Sequence, residues 1–232
     1  MMDPEQRDKM STKVILHNSV SVDGSISNFP MNMALHYQVA GSFNAQAHLI
    51  GSQTALKGLD MFLKDLPQEH EDDWKRPEGK DHLPYWIVVD SQGQLENKMH
   101  VYRRFEFCRD VIVLVSAFTP RTYIEYLNER NYLVIFSGHK KVDFGHALEV
   151  LRDDFQAETI VTDTGPTLNT HLLRQGLIHE ISLIMSPTII GDNGSKVIKS
   201  MLAPKEKLTL ELIEHDVLTA HHMWLHYRVI RE

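Results

Sequence analysis

Apolar runs of strand length recur along the chain, each closed by a polar turn and most followed by residues at helical spacing. Val14 to Val22 is the first such run, Ala47 to Gly51 the second and Tyr85 to Val89 the third. Val111 to Ser116, Leu133 to Ser137, Thr159 to Thr162 and Glu180 to Met185 follow. Such β-rich runs, bounded by turn residues, fit strands covered on both faces of a mostly parallel sheet.

The intervening stretches predict helices. In "TALKGLDMFLKDL", Leu56, Leu59, Leu63 and Leu66 recur at three and four residues, one helical face. Thr119 and Pro120 read as N-cap and first helical residue ahead of Tyr123, Ile124 and Leu127. Asp143 reads as the cap of a helix whose inward face is Ala147, Leu148, Leu151 and Phe155. Pro166 opens another, with Leu168, Leu172 and Leu173 facing in and Gly176 placed to end it.

Towards the end the pattern changes. Leu208 to His215 and His222 to Ile230 read as two strands joined by "DVLTA", so the sheet should finish as an antiparallel hairpin. Alternating strands and helices with right-handed crossovers predict one α/β domain from residue 14 onward, behind a polar tail at 1–13. The stretch from Pro67 to Pro84, "PQEHEDDWKRPEGKDHLP", is charged and aperiodic. It reads as an exposed loop insertion, with the acidic run from Glu69 to Asp73 as solvated surface.

Composition narrows the function. An apolar share of 42% supports a sizeable core, and a net charge of −7 argues against a partner made of nucleic acid or anionic membrane. The one cysteine, Cys108, permits no internal disulfide and reads as a packing residue. With no apolar leader or spanning segment visible, the expected location is the cytoplasm. His222 and His226 invite a metal reading. On a strand, however, residues four apart lie about 13 Å from each other, too far to share one ion, so no metal is expected.

Candidate chemistry sits where strands end. In "IVTDTGPTLN" the apolar run stops at Asp163 and Thr164, and Gly165 and Pro166 lead into a helix. Proline at the first helical position loses no hydrogen bond, and glycine before it leaves room for a ligand to approach. The free amides of Thr167 and Leu168, with the helix dipole, then form an anion site; a well-capped turn without a ligand is the other reading. Gly51 with Thr54, Ser21 with Asp23 and Gly24, and Ser137 with Gly138 mark three more strand ends, which together suggest one shared ligand edge. Neither the G-x-G-x-x-G fingerprint nor the Walker lysine motif is present.

Taken together, "SVDGSIS", "LIGSQT", "WIVVDSQGQL", "VDFGHALEVL" and "VTDTGPTLNTHLLRQGLIHEISLIMSPTIIGDNG" resemble a known family. It is the reductase domain that forms the C-terminal half of bacterial riboflavin-biosynthesis deaminase/reductases. The same domain stands alone as the archaeal and fungal diaminopyrimidine ribosyl-phosphate reductase. The likeness runs from Val14 to Val229. It implies a dihydrofolate-reductase-like fold, a homodimer, and NADPH as cofactor. It also implies hydride transfer to C1′ of a ribosylaminopyrimidine 5′-phosphate, a small-molecule substrate, to give the ribitylamino product.

Carried over by position, the resemblance gives Gly51, Thr54 and Gly138 to the cofactor. Thr164, Gly165 and Thr167 fall to its diphosphate, and Ser116 with Arg121 to its adenosine 2′-phosphate. Asp23 and Asp163, with Ser21, border the substrate, and either acid could orient the base or deliver a proton. Ahead of Gly51, where the family commonly carries an arginine, this chain reads "GSFNAQAHLIG". That departure keeps two alternatives open: a related NADPH reductase of a different pterin-like or carbonyl substrate, and a dimeric nucleotide-binding protein without turnover.

Overall fold

In the computed structural model, residues 12–198 and 207–231 are described. The predicted polar tail therefore lies, up to residue 11, outside the described residues. The chain packs into two compact units, one of Thr12 with Ala45–Glu158, the other of Lys13–Asn44 with the residues from Thr159 onward. The secondary structure is α/β throughout.

The first unit carries four parallel strands in the order β5-β4-β3-β2. These are β2 (Ala47–Gly51), β3 (Tyr85–Val89), β4 (Val111–Val115) and β5 (Leu133–Phe136). Every residue of β4 is buried, as a strand covered on both faces must be. Helices α2 (Ser52–Phe62), α3 (Met99–Arg104), α4 (Arg121–Glu129) and α5 (Phe144–Phe155) accompany them. The core joins Leu59, Trp86, Val113, Tyr123 and Leu127 with Cys108, which is fully buried. Burial first, then the nearby Asp110 carboxylate, pushes the Cys108 thiol up to about 12.

The second unit carries β6-β1-β7-β9-β8. Strand β1 (Lys13–Ser21) runs parallel to both β6 (Thr159–Thr162) and β7 (Glu180–Ser186). Strand β9 (Met223–Ile230) pairs antiparallel with β7 and with the edge strand β8 (Thr209–Val217), the expected terminal hairpin. Helices α1 (Met33–Ser42) and α6 (Pro166–Arg174) complete this unit. No helix among the described residues is long and apolar enough to cross a membrane.

Several local expectations are corrected. Helix α2 begins at Ser52 with Gly51 as N-cap, which puts Thr54 inside its first turn. The same helix stops at Phe62, leaving Leu63 in extended backbone and Leu66 exposed; only Ala55 and Leu59 of the helix are fully buried. Pro120 is the N-cap of α4, and the Thr119 hydroxyl instead accepts the amide of Ser116 at 3.0 Å. Helices α1 and α3 were not predicted, because their buried faces are mixed with His36, His100 and Arg103 and carry little apolar periodicity.

The charged stretch from 67 to 84 is also more anchored than its composition suggests. Arg104 grips the Asp73 carboxylate at 2.6 and 2.7 Å, and Arg130 meets both oxygens of Glu69 at 2.9 and 3.0 Å. These two acids are therefore folded against basic helices and not solvated. Beneath them Arg103 donates to Asp110, to the carbonyls of Asp73 and Arg130, and to that of Asn131.

Candidate functional site

Strand β1 changes chemistry along its length. Val14, Ile15 and Leu16 are apolar, whereas His17, Asn18, Ser19 and Ser21 towards the carboxyl end are polar, and all are buried. Buried polar groups must find partners, and these do. Trp224 Nε1 donates to Ser182 Oγ at 2.8 Å, and Ser182 Oγ lies 2.9 Å from His17 Nδ1. The other nitrogen of His17, Nε2, lies 3.2 Å from the carbonyl of His36. A carbonyl only accepts, so His17 carries its proton on Nε2 and takes the Ser182 hydroxyl hydrogen on Nδ1.

The same reasoning fixes His36. Its Nε2 lies 2.9 Å from Asp163 Oδ2 and its Nδ1 3.0 Å from Ser19 Oγ. An ionised carboxylate only accepts, so Nε2 donates, and in the neutral ring Nδ1 accepts from Ser19. Asp163 Oδ1 faces Asn18 Nδ2 at 3.4 Å, and Asn18 Oδ1 accepts from Asn169 Nδ2 at 2.8 Å. A directed polar network thus runs beneath the end of the unit's strands and surfaces at Asp163, whose side chain is 29% exposed. Tyr37 stands edge-on to His36 with ring centroids 5.3 Å apart; burial and then the Asp163 charge push its phenol up to about 12.

The junction after β6 follows the predicted order. Gly165 is the N-cap of α6, with no side-chain cap, and Pro166 is the first helical residue. Its φ of −75° and ψ of 171° are open to any residue. Backbone conformation therefore does not demand glycine here; what glycine provides is the lack of a side chain. Thr167 is exposed in the first turn, where helical amides have no intrahelical acceptor. Thr164 is buried, its carbonyl accepting from Asn18 at 3.3 Å and from Asn169 at 3.1 Å.

Asp23 and Ser21 do something different. Ser21 Oγ donates to Asp23 at 2.6 Å, and the amides of Ile190 and Gly191 and the Lys196 ammonium bind the same carboxylate at 3.0 to 3.1 Å. These donors, Ser21 first, hold Asp23 well below the usual carboxylate range. It latches the turn after β1 to the loop at 190–196, and such a carboxylate is a poor proton donor. Of the two candidate acids, only Asp163 joins the buried network.

The candidates of the first unit are spread over three junctions. Gly51, with φ −84° and ψ 154°, repeats the Gly165 geometry ahead of α2. Ser116 follows β4; it is 1% exposed and its hydroxyl has no partner among the described residues. Arg121 is 92% exposed and bridges Glu125 one helical turn on. Gly138 is demanded by the fold: at φ +80° a Cβ would overlap the Lys141 carbonyl and sit 2.7 Å from the Asp143 amide. Asp90, from the block "WIVVDSQGQL", anchors its own turn by accepting the amides of Gln94 and Leu95 and the Tyr123 hydroxyl.

His222 and His226 have separate partners. His222 faces the carbonyls of Thr219 and Ala220, and His226 faces Glu180 at 3.0 Å. No group of three or more His, Cys, Asp or Glu among the described residues could hold a metal ion. The sequence reading missed Asn18, His36 and Asn169. The available signal was the run "HNSVS" inside an otherwise apolar strand, since polar residues in a doubly covered strand imply partners elsewhere.

Comparison with known proteins adds ancestry. Residues 12–221 match the model of the RibD C-terminal domain. The chain is 25% identical over 214 residues to the riboflavin biosynthesis protein RibD of Chlamydia pneumoniae, covering 85% of this chain and 52% of that protein. It thus spans about half the length of the curated relative it matches. Among solved structures, a pyrimidine reductase-like protein from Corynebacterium diphtheriae superposes with a TM-score of 0.72 at 16% identity, over 95% of this chain and 93% of that one. The riboflavin biosynthesis reductase of Saccharomyces cerevisiae superposes with a TM-score of 0.65, also at 16% identity, over 95% and 90%. These likenesses establish the fold as that of the riboflavin-pathway reductases, and the sequence match establishes descent: the chain belongs to the RibD C-terminal domain family.

Proposed function

We propose that this chain is an NADPH-dependent reductase of riboflavin biosynthesis, acting on a ribosylaminopyrimidine 5′-phosphate and yielding the ribitylamino product. The observation that carries the reading is the junction of β6 and α6. There a glycine that the backbone does not require opens a helix start with no side-chain cap, beside a carboxylate that is 29% exposed. A diphosphate fits such a place, because the first amides and the helix dipole face it and no Cβ intervenes. Thr164, Gly165 and Thr167 would hold that group. In the first unit, the unpartnered Ser116 hydroxyl and the side-chain-free Gly51 fit a nucleotide as well.

When bound, the reduced nicotinamide supplies the hydride that reduces C1′. The protein's own part is to hold the reactants in register and keep the Asp163 carboxylate beside the accepting group, where it can orient or protonate the imine nitrogen. The absence of the family arginine before Gly51 favours a second reading, a related reductase whose substrate lacks the phosphate.

The same reading makes the protein a homodimer. All nine residues of the edge strand β8 are exposed, with Leu210, Leu212, Ile213 and Val217 between 40% and 72% accessible. An open apolar edge of this length invites pairing with a second copy. Sedimentation of the wild type and of Leu212→Lys checks it, the variant being expected as monomer.

The main test is Gly165→Val. Its fold should survive, because valine accepts the same backbone angles, while NADPH affinity measured by calorimetry should fall at least about tenfold. Unchanged affinity refutes the cradle. Hydride transfer to the ribosylaminopyrimidine phosphate, followed by loss of NADPH absorbance, separates the first reading from the second. NADPH binding without turnover on any acceptor would leave a binding protein.

A further inference from the structure

Asp163 is placed at the strand end by groups that no family motif in this sequence names. His36 comes from α1, 127 residues away in the chain, and is 1% exposed. Its ring is locked on both edges, by Ser19 on one side and Asp163 on the other, and on its face by His17 at 4.4 Å. An imidazole so constrained has little freedom of its own. Oδ2 of Asp163 is held at 2.9 Å, whereas Asn18 reaches Oδ1 only at 3.4 Å, so the histidine supplies the shorter contact of the two.

We propose that His36 is a positioning residue for the reductase reaction, acting through Asp163 by donating its Nε2–H to that carboxylate. The inference rests on the reductase reading given above. The acceptor-only Asp163 carboxylate assigns the tautomer, Ser19 then donates to the bare Nδ1, and His17 supports the ring from beneath while its own Nε2–H holds the His36 carbonyl. The partners of a His-carboxylate pair typically fix both orientation and ionisation. Titratable groups facing the pair are His17 from β1 and Tyr37 from α1 itself, with His226 of β9 one ring further, against Phe43. Among them Tyr37, pushed up to about 12, keeps its proton at neutral pH.

The test compares His36→Leu, His36→Gln, Asp163→Asn and the double variant His36→Leu/Asp163→Asn in the full chain, with NADPH and the ribosylaminopyrimidine phosphate. Leucine removes the donor, and kcat should fall about tenfold or more, with KM for NADPH changed less than about twofold. Glutamine places an amide N–H near the Nε2 position and should recover most of that loss. In His36→Leu the acid limb of the kcat profile should move to higher pH, since a carboxylate that loses a donor binds its proton more tightly. The double variant should be no slower than Asp163→Asn alone.

Wild-type kcat in His36→Leu, an unmoved acid limb, or losses that multiply in the double variant would overturn the proposal. A second readout is independent of turnover. Long-range ¹⁵N spectra should show His36 protonated at Nε2 and bare at Nδ1, and the opposite tautomer overturns the assignment. If the wild type reduces none of the substrates, the reductase reading fails, while the spectra still decide whether His36 holds Asp163.

Discussion

Replacing Arg103 by methionine tests whether one buried guanidinium organises the charged segment of the first unit. The side chain is 3% exposed and lies beside Asp110, itself 7% exposed, at 2.9 Å. It also serves three carbonyls and stacks 3.9 Å from the Tyr132 ring centre. Methionine matches much of the volume but leaves the Asp110 charge and those carbonyls short of a donor. Breaking one side of a buried ion pair costs about 3–5 kcal/mol. Arg76 remains 3.8 Å from Asp110, though 54% exposed, so the lower end applies, about 3 kcal/mol. For a chain of this size that corresponds to a fall in Tm of about 6–12 °C.

Urea unfolding followed by circular dichroism measures the loss. The double variant Arg103→Met/Asp110→Asn should regain at least half of it, because the stranded charge is gone. Tryptic cleavage after Lys75 should accelerate in the single variant, since Arg103 ties the Asp73 carbonyl to the body of the unit. A loss below about 1 kcal/mol, or a double variant no more stable than the single one, would refute the reasoning.

Three more outcomes follow from the geometry. Burial raises the Glu180 pKa, but the His226 hydrogen bond and the Lys13 charge outweigh it, so the net shift is downward. Its stabilisation is complete above the unfolded value of about 4.3 and lost as pH falls through the lower folded value. Glu180→Gln should therefore lose stability less steeply between about pH 5 and pH 3, and an identical acid-denaturation curve would contradict this. Cys108, fully buried with its thiol pushed up to about 12, should resist a disulfide reagent at pH 8 and react once the protein is unfolded; rapid reaction in the native state would show that the site opens. Gly138→Ala should cost about 2 kcal/mol or more in chemical denaturation, from positive φ and overlap with the Lys141 carbonyl, and a loss under about 1 kcal/mol would mean that the turn adapts.

Much of this architecture could be read from the chain. Every strand was foreseen to within a residue or two, because strand length, β-branched content and bounding turn residues are local properties. Helices α5 and α6 were legible through Asp143 and Pro166, whose capping roles act within one turn. Helix α1 was not, since it buries His36 beside Leu35, Val39 and Ala40, and a histidine in that face breaks the apolar pattern. Glu69 and Asp73 read as surface because nothing in their neighbourhood shows Arg104 of α3 and Arg130 just past α4, which meet them.

The sequence by itself determined the strand-turn-helix junctions and the family likeness, both carried by residues close together in the chain. Only the tertiary structure separated the two candidate acids. Asp23 is consumed by donors from the 190–196 loop, and Asp163 is joined to His36, because β1 lies between β6 and β7 and carries α1 behind it. Pairings of that range depend on which strands become neighbours, and strand order is a cooperative outcome of the whole core that no local run of residues encodes.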